Sequence, residues 1–128
     1  MKNKEILVTG GCGFIGSHLV EMLVKNGNKV ICFDRYNSNN HWGWLEHSEV
    51  KDDIEVILGD IRDFDSVYDA VKRVEIAFHL AALIGIPYSY ISPLAYIRTN
   101  IEGTYNVLES TRLHGTDQVI TTSTSETY

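Results

Sequence analysis

Apolar runs alternate with amphipathic stretches along the 128 residues of this chain. Runs that are apolar or nearly so predict buried β-strands at residues 6–8, 29–34, 54–58, 75–80 and 118–122. Apolar positions at helical spacing predict helices at residues 15–23, 64–71 and 93–114, with Asp63 and Ser92 as N-caps of the last two. Strands that alternate with helices are typical of a parallel sheet covered on both faces. The pattern therefore predicts a single α/β domain.

A glycine-rich segment, residues 9–16 with the sequence TGGCGFIG, connects the first predicted strand to the first helix. Gly10, Gly13 and Gly16 would let the backbone turn sharply and approach a pyrophosphate without an intervening Cβ. The first N–H groups of the helix would then point at the anion. A glycine loop of purely structural use is the alternative, but the flanking strand and helix favour a nucleotide site.

A carboxylate ends the second predicted strand, about twenty residues further on, where dinucleotide-binding folds contact the adenosine ribose. Asp34 would accept hydrogen bonds from the ribose hydroxyls and repel a 2′-phosphate, which favours NAD over NADP. Arg35 follows it and would accommodate that phosphate instead. An ordinary turn carboxylate is the structural alternative.

Composition and charge argue against several classes of protein. Asp and Glu number 17 against 11 Lys and Arg, a net charge of −6, which argues against a nucleic-acid surface. No apolar run reaches the length of a membrane span and no signal sequence precedes the first strand, so we expect a cytoplasmic protein without a membrane partner. Cys12 and Cys32 are interpreted as small buried hydrophobes, and no metal site is expected at His41 and His47.

Two long connections have a composition that suggests a function. Residues 35–53 are polar around Trp42 and Trp44, and are predicted either as a flap or subunit contact, or as a short helix with its tryptophans on the sheet edge. Residues 83–92 are predicted as an apolar loop whose Tyr88 and Tyr90 hydroxyls could bind a polar substrate.

Polar residues also occur at or after the later strands. Asp60 and Ile61 would contact an adenine ring or form a structural turn, and His79 is interpreted as a packed strand-end residue. Asn100, within the third predicted helix, would hydrogen-bond to a neighbouring segment, kink the helix, or lie at the surface. The hydroxyl-rich residues 123–128 include Glu126, and a strand end of this kind is where a doubly wound enzyme places its chemistry.

Six motifs, taken in order, resemble the extended short-chain dehydrogenase/reductase family, which includes NAD-dependent nucleotide-sugar epimerases and dehydratases. The motifs are TGGCGFIG at 9–16, Asp34, GDIRD at 59–63, HLAA at 79–82, TNIEGT at 99–104 and TSTSE at 122–126. The resemblance implies a Rossmann-type, doubly wound parallel sheet of order 3-2-1-4-5, with NAD as the cofactor and residues 1–128 as the NAD-binding domain. The family's Tyr-x-x-x-Lys pair does not follow the last strand, and Tyr128 matches a structural tyrosine instead. We therefore expect the amino-terminal part of a longer enzyme, inactive by itself.

The resemblance also implies roles for individual residues. The implied cofactor-binding residues are Gly10, Gly13, Phe14, Ile15, Gly16, Asp34, Asp60, Ile61, Leu80, Ala81, Ala82 and Asn100. The implied catalytic residues are Thr124, Ser125 and Glu126. Thr124 would hydrogen-bond the sugar 4-hydroxyl, and Glu126 would remove the C5 proton of a 4,6-dehydratase substrate. Ser125 stands where related glucose dehydratases have an acidic aspartate, so the acid is unassigned.

Two loops, residues 36–45 and 86–90, look most like nucleotide-N-acetylhexosamine 4,6-dehydratases of the legionaminic-acid type. We therefore expect a nucleotide-sugar substrate, UDP- or GDP-N-acetylglucosamine, and a homodimer or higher homo-oligomer that pairs helix 94–113 when full length. A UDP-glucose-type 4-epimerase and a UDP-glucuronate decarboxylase are the sibling alternatives, since residues 124–126 also resemble the decarboxylase triplet. A non-catalytic, NAD-sensing module is the alternative from another class.

Overall fold

A computed structural model describes residues 1–127, which are organised around a five-stranded parallel sheet. In chain order the strands are β1 (Glu5–Thr9), β2 (Lys29–Arg35), β3 (Ile54–Gly59), β4 (Ile76–His79) and β5 (Gln118–Thr121). They lie in the order β3-β2-β1-β4-β5, which confirms the predicted arrangement. In the central strand, Val8 is in register with Cys32 of β2 and Phe78 of β4. Tyr128, the predicted structural tyrosine, lies outside the described residues.

Helices and short helical turns connect the strands. The helices are α1 (Phe14–Lys25), α2 (Phe64–Val71), α3 (Ile86–Ile91), α4 (Pro93–Tyr96) and α5 (Gly103–His114), with a π-helical segment, Ile97–Glu102, between α4 and α5. Single 3₁₀ turns occur at Gly43–Leu45, Lys51–Asp53 and Ser125–Thr127. No helix within residues 1–127 combines the length and the apolar character needed to cross a bilayer.

Alternation along β1 divides the core into two apolar clusters, because successive side chains point to opposite faces of a sheet. Leu7 lies in one cluster with Val71 of α2 and Val107 of α5. Ile6 and Val8 lie in the other, whose helix residues come from α1. Both faces of the sheet are therefore covered, as the near-continuous apolar strands predict.

The start of α2 follows the sequence prediction. The Asp63 carboxylate accepts a hydrogen bond from Asp65 N at 3.2 Å and another from Ser66 Oγ at 2.6 Å. An N-cap of this kind satisfies one of the otherwise unpaired N–H groups of the first turn. The predicted capping role of Asp63 is confirmed.

Residues 83–114 differ from the prediction in two places. The predicted loop 83–92 contains the helix α3, whose six residues with Pro87 in the first turn are too few for a helical period to be recognised. The predicted helix 93–114 begins at Pro93 with Ser92 at the N-cap position, but the Ser92 side chain makes no capping bond within residues 1–127. The helix also passes through the π-helical segment before α5. A π-bulge inserts an extra residue into a turn, and the apolar period alone does not reveal it.

The apolar stripe predicted for this helix faces outward rather than into the core. Its residues are 45% to 64% exposed, namely Leu94, Ile97, Ile101, Tyr105 and Leu108. The buried face of α5 contains only one apolar side chain larger than a methyl group, Val107, and is otherwise small or polar. A Cβ on Gly103 would lie 2.8 Å from Ile61 Cγ2. Asn106 Nδ2 donates to Ile61 O at 3.0 Å on the same face. On this face α5 therefore packs against the β3–α2 connection by close approach of its backbone, and not through large apolar side chains.

Candidate functional site

The turn between β1 and α1 can be formed only by glycine at two positions. Gly10 has φ +71°, and a Cβ there would lie 3.0 Å from Ala81 N. A Cβ on Gly16 would lie 2.1 Å from Gly10 O, inside van der Waals contact. The missing side chains therefore let β1, the first turn of α1 and the residues after β4 approach one another.

The first turn of α1 presents backbone donors that have no acceptor within the helix. Gly13 is the N-cap in an extended conformation, and among residues 1–127 no side chain caps the helix. The first intrahelical bond runs from Ser17 N to Gly13 O at 2.9 Å, which leaves the N–H groups of Phe14, Ile15 and Gly16 without helical acceptors. These donors and the helix dipole favour an anion.

Asp34 lies beside the glycine turn at the end of β2. One carboxylate oxygen accepts from Cys12 N at 2.8 Å, and the other accepts from Arg35 N at 2.7 Å. The carboxylate borders a cleft of about 420 Å³ lined by Cys12, Gly13, Asp34, Arg35, Asn37, Asn39, His41, Gly43 and Leu58. The structure therefore brings together the glycine turn and the acid that the sequence predicted for the adenosine ribose.

Part of the long connection 35–53 packs against the glycine turn. Trp44 N donates to Cys12 O at 3.0 Å, and the Trp44 ring lies edge-on to Phe14 with centroids 5.3 Å apart. Trp44 is 64% exposed, whereas Leu45 is buried and Trp42 packs against the apolar cluster that covers one sheet face. The connection therefore contains short helical turns with one packed tryptophan, as one alternative predicted, and it also borders the cleft. The predicted flap or subunit contact stays a prediction.

Asp60 and Ile61, the residues predicted to contact the adenine, follow β3, which lies on the other side of β2 from the central strand β1. Asp60 forms an ion pair with Arg62 at 2.6 Å, and the hydrogen bond from that guanidinium is the main reason that the pKa of Asp60 is lowered. Ile61 is only 8% exposed and packs in the core against Gly103. The side chain of Ile61 therefore offers little surface to an adenine ring, and its predicted contact stays a prediction.

The segment after β4 is bound at both ends by hydrogen bonds. Leu80 N and Ala81 N each lie 3.1 Å from Thr9 Oγ1. Asn100 Oδ1 accepts from Leu83 N, and Asn100 Nδ2 donates to Leu83 O, both at 2.9 Å. Asn100 therefore makes the predicted bond to a neighbouring segment, and it does so from the π-helical distortion of its own helix.

The three predicted catalytic residues follow β5. Thr124, Ser125 and Glu126 are exposed, and Glu126 N donates to Thr124 Oγ1 at 3.2 Å. Their strand is joined to β4 at this end, since Thr122 Oγ1 donates to His79 O at 3.1 Å. They therefore lie at the carboxyl edge of the sheet, the same edge as the glycine turn, where ligands bind in open α/β sheets.

Sequence reasoning missed the hydrogen bonds made by the His79 side chain. The ring is 5% exposed, with Nδ1 2.8 Å from Thr9 Oγ1 and Nε2 2.9 Å from Thr104 Oγ1. Burial lowers its pKa. The predicted packed, strand-end position is correct, but apolar periodicity gives no sign of the two threonine partners.

Both cysteines are free thiols in the core. Cys12 is 7% exposed and Cys32 is fully buried. Burial, reinforced by the charge of Asp34, raises the pKa of Cys12 to about 12. No cluster of three or more potential metal ligands occurs in the part of the chain that the structure describes.

A family model described as GDP-mannose 4,6 dehydratase matches residues 7–128. The chain belongs to the extended short-chain dehydrogenase/reductase family of NAD-dependent epimerases and dehydratases. Membership of this family agrees with the strand order and with the position of the glycine turn.

Relatives within the extended short-chain dehydrogenase/reductase family have several activities. A UDP-N-acetyl-alpha-D-glucosaminuronate decarboxylase of Bacillus cytotoxicus is 40% identical over 98% of this chain and 38% of its own length. The solved UDP-N-acetylglucosamine 4-epimerase of Methanobrevibacter ruminantium, in complex with UDP-N-acetylmuramic acid, is 35% identical with a TM-score of 0.84, over 98% of this chain and 39% of that one. MoeE5 in complex with UDP-glucuronic acid and NAD is 33% identical with a TM-score of 0.80, over 97% of this chain and 38% of the MoeE5 chain. The chain thus spans less than two-fifths of the length of each.

Proposed function

We propose that this chain forms the NAD-binding portion of an enzyme that modifies nucleotide sugars. The observation that carries the proposal is the turn at Gly10 and Gly16, which leaves no room for a Cβ and lies beside the Asp34 carboxylate. The α1 N–H groups would bind the pyrophosphate, and Asp34 would bind the adenosine ribose. NAD, when bound, supplies a hydride acceptor and donor. The NAD complex of MoeE5, a relative of the same fold, supports this choice.

Further residues are proposed to line the same cofactor. Phe14 and Ile15 would contribute backbone donors, and Leu80, Ala81 and Ala82 would form the wall opposite the glycine turn. This role is supported by the close approach of Gly10 to Ala81. Asp60, Ile61 and Asn100 complete the predicted set, Asn100 through the segment that it fixes at Leu83.

For the reaction, we propose 4,6-dehydration of UDP- or GDP-N-acetylglucosamine. The Thr124 hydroxyl would hydrogen-bond the sugar 4-hydroxyl, and the Glu126 carboxylate would take the C5 proton after oxidation at C4. The exposed position of both residues at the ligand edge supports this assignment, as does the family model. Ser125 has no acidic proton at neutral pH, so the acid for the leaving hydroxyl comes from another group.

Decarboxylation of a UDP-hexuronate is the second candidate. The sequence of residues 124–126, Thr-Ser-Glu, resembles the decarboxylase triplet, and the 40% identical relative is named as a decarboxylase. Epimerisation at C4 is the third, because several of the structural neighbours are named as 4-epimerases. A domain that binds NAD without turnover is the candidate from another class.

One experiment distinguishes these functions. The full-length protein is incubated with UDP- and GDP-N-acetylglucosamine and with UDP-glucuronate, and the products are weighed by mass spectrometry. Loss of water supports the dehydratase, loss of carbon dioxide the decarboxylase, and an isomer of unchanged mass the epimerase. Calorimetric heat with NAD but no product from any sugar supports the sensing module, whereas absence of heat overturns the whole proposal.

Assembly and location belong to the same proposal. The outward apolar stripe of α4, the π-helical segment and α5 is proposed to pack against a second copy in a homodimer or higher homo-oligomer of the full-length protein. Replacing Ile101, which is 64% exposed, with Glu should then lower the mass measured by light scattering. The expected cytoplasmic location is tested by cell fractionation.

A further inference from the structure

The hydroxyl of Thr104 determines which nitrogen of His79 carries a proton. Thr104 Oγ1 lies 2.7 Å from Asn100 O, and a carbonyl oxygen can only accept, so Thr104 donates its proton there. The same oxygen lies 2.9 Å from His79 Nε2 and must accept from it. His79 therefore carries its proton on Nε2.

The other side of the ring agrees with this tautomer. Thr9 Oγ1 accepts from Leu80 N and Ala81 N, and it lies 2.8 Å from His79 Nδ1. With two N–H donors already on its oxygen, Thr9 has its own proton left to donate to an unprotonated Nδ1. Burial of the ring, which lowers its pKa, also favours the neutral form.

We propose that His79 is a positioning residue for the cofactor site, acting in its neutral Nε2–H tautomer as the centre of a one-directional hydrogen-bond chain. The chain runs from Ala81 N through Thr9, His79 and Thr104 to Asn100 O. This inference rests on the proposed NAD function, because it assigns a purpose to the wall formed by residues 80–82.

The two ends of the chain bind the same stretch of backbone. Thr9 Oγ1 accepts from the backbone N–H groups of Leu80 and Ala81. The side-chain amide of Asn100 bonds to both the N–H and the C=O of Leu83. His79 links these two anchors through the interior. Because a Cβ on Gly10 would lie only 3.0 Å from Ala81 N, a small displacement of Ala81 changes the width of the glycine turn.

The tautomer is tested directly by NMR on the full-length protein with ¹⁵N-labelled histidine. Long-range ¹H–¹⁵N correlations at neutral pH should show the His79 signal with a protonated Nε2 and an unprotonated Nδ1. A protonated Nδ1, whether in the other neutral tautomer or in the imidazolium, would overturn the proposed direction of the chain.

Variants then test whether the chain positions the cofactor wall. His79→Phe removes both ring bonds and keeps a planar aromatic ring, and Thr104→Val removes the Nε2 partner. Thr111→Val is the matched control, since Thr111 Oγ1 donates to Leu108 O at 2.8 Å in the same helix outside the chain. We expect the first two to weaken NAD binding tenfold or more by calorimetry, and Thr111→Val to change it less than twofold at a comparable loss in Tm.

A conservative replacement separates positioning from general packing. His79→Asn places an amide oxygen near the Nδ1 position, so it should keep the bond from Thr9 and recover most of the NAD affinity lost in His79→Phe. Equal affinities in Thr104→Val and Thr111→Val, or wild-type affinity in a folded His79→Phe, would overturn the inference while NAD binding by the wild type stands. No heat with NAD in the wild type would instead overturn the proposed function.

Discussion

Replacement of Asp34 gives the sharpest test of the cofactor choice. A hydrogen bond to a charged group contributes about 1.5–3 kcal/mol, so loss of one carboxylate bond to the ribose should weaken NAD roughly ten- to hundredfold. Two like unit charges about 4 Å apart repel by about 1 kcal/mol in water and about 4 kcal/mol at an effective dielectric constant of about 20. Since Asp34 is partly buried, removing its charge should improve binding of the 2′-phosphate of NADP by at least about fivefold.

The assay is calorimetric titration of the full-length protein with NAD and with NADP. Asp34→Asn removes the charge and keeps one acceptor oxygen for Cys12 N, at the loss of the bond from Arg35 N, whereas Asp34→Ala removes the charge and both acceptors. Glu55→Gln on β3, which loses a surface ion pair with Arg73 at 3.1 Å, controls for the change in net charge. An NAD-to-NADP affinity ratio that stays at the wild-type value in both Asp34 variants would refute the assignment.

Three further predictions concern Gly16 of the glycine turn, the Glu46–Lys51 ion pair in the connection 35–53, and the thiol of Cys12. Gly16→Ala should abolish NAD binding in calorimetry, because its Cβ would lie 2.1 Å from Gly10 O. Gly27→Ala is the control: Gly27 has φ +87°, but no described atom lies within 4 Å of its Cβ position. This control should leave NAD binding intact and lower the free energy of unfolding in urea only by the left-handed strain of about 1–2 kcal/mol. The hydrogen bond from Lys51 lowers the pKa of Glu46 from 4.5 to about 2, so its stabilisation is complete above about pH 4.5 and disappears as the pH falls through 2. The difference in urea midpoint between wild type and Lys51→Met should therefore shrink over that range, and a constant difference would contradict it. Cys12, buried with a pKa raised to about 12, should react with a thiol reagent at pH 8 only after unfolding, and rapid labelling of the native protein would contradict its burial.

The strands and the glycine turn were predictable because their physical signals are local. A buried parallel strand is apolar over its whole length, and only glycine allows the turn at Gly10. The carboxylate at the end of β2 follows from the same local pattern, and the structure brings Asp34 within 2.8 Å of Cys12 N.

The orientation of helices was less predictable, because it depends on what each face meets. In α1, Leu23 is buried as expected of the predicted stripe, but Ile15 and Met22 of that stripe are 71% and 53% exposed, and Val20, outside it, is fully buried. In α5 the largest apolar residues point outward, and the buried face needs small side chains because Ile61 approaches Gly103 closely. Hydrophobicity alone cannot distinguish a helix face that packs inside the domain from an apolar helix face that is exposed on its surface.

The interior hydrogen bonds were invisible for a different reason. Thr9, His79 and Thr104 come together from three elements that lie far apart in the chain, and none is unusual in its own local sequence. Likewise, the π-helical segment at Asn100 is defined by backbone geometry, and the bond from Asn100 to a neighbouring segment was only one of the three interpretations that its sequence position left open.

The place of β1 at the centre of the sheet has a consequence for how the protein is made. Ala81 N donates to Thr9 Oγ1 across 72 positions of the chain. The residues that border the glycine turn after β4 are therefore translated long after the turn itself. A nascent chain that ends at β3 already contains every glycine of the turn together with Asp34, yet it lacks the strand that completes them. Since contacts between distant segments form late and slowly, coenzyme capture should begin only once the fourth strand has been translated and docked.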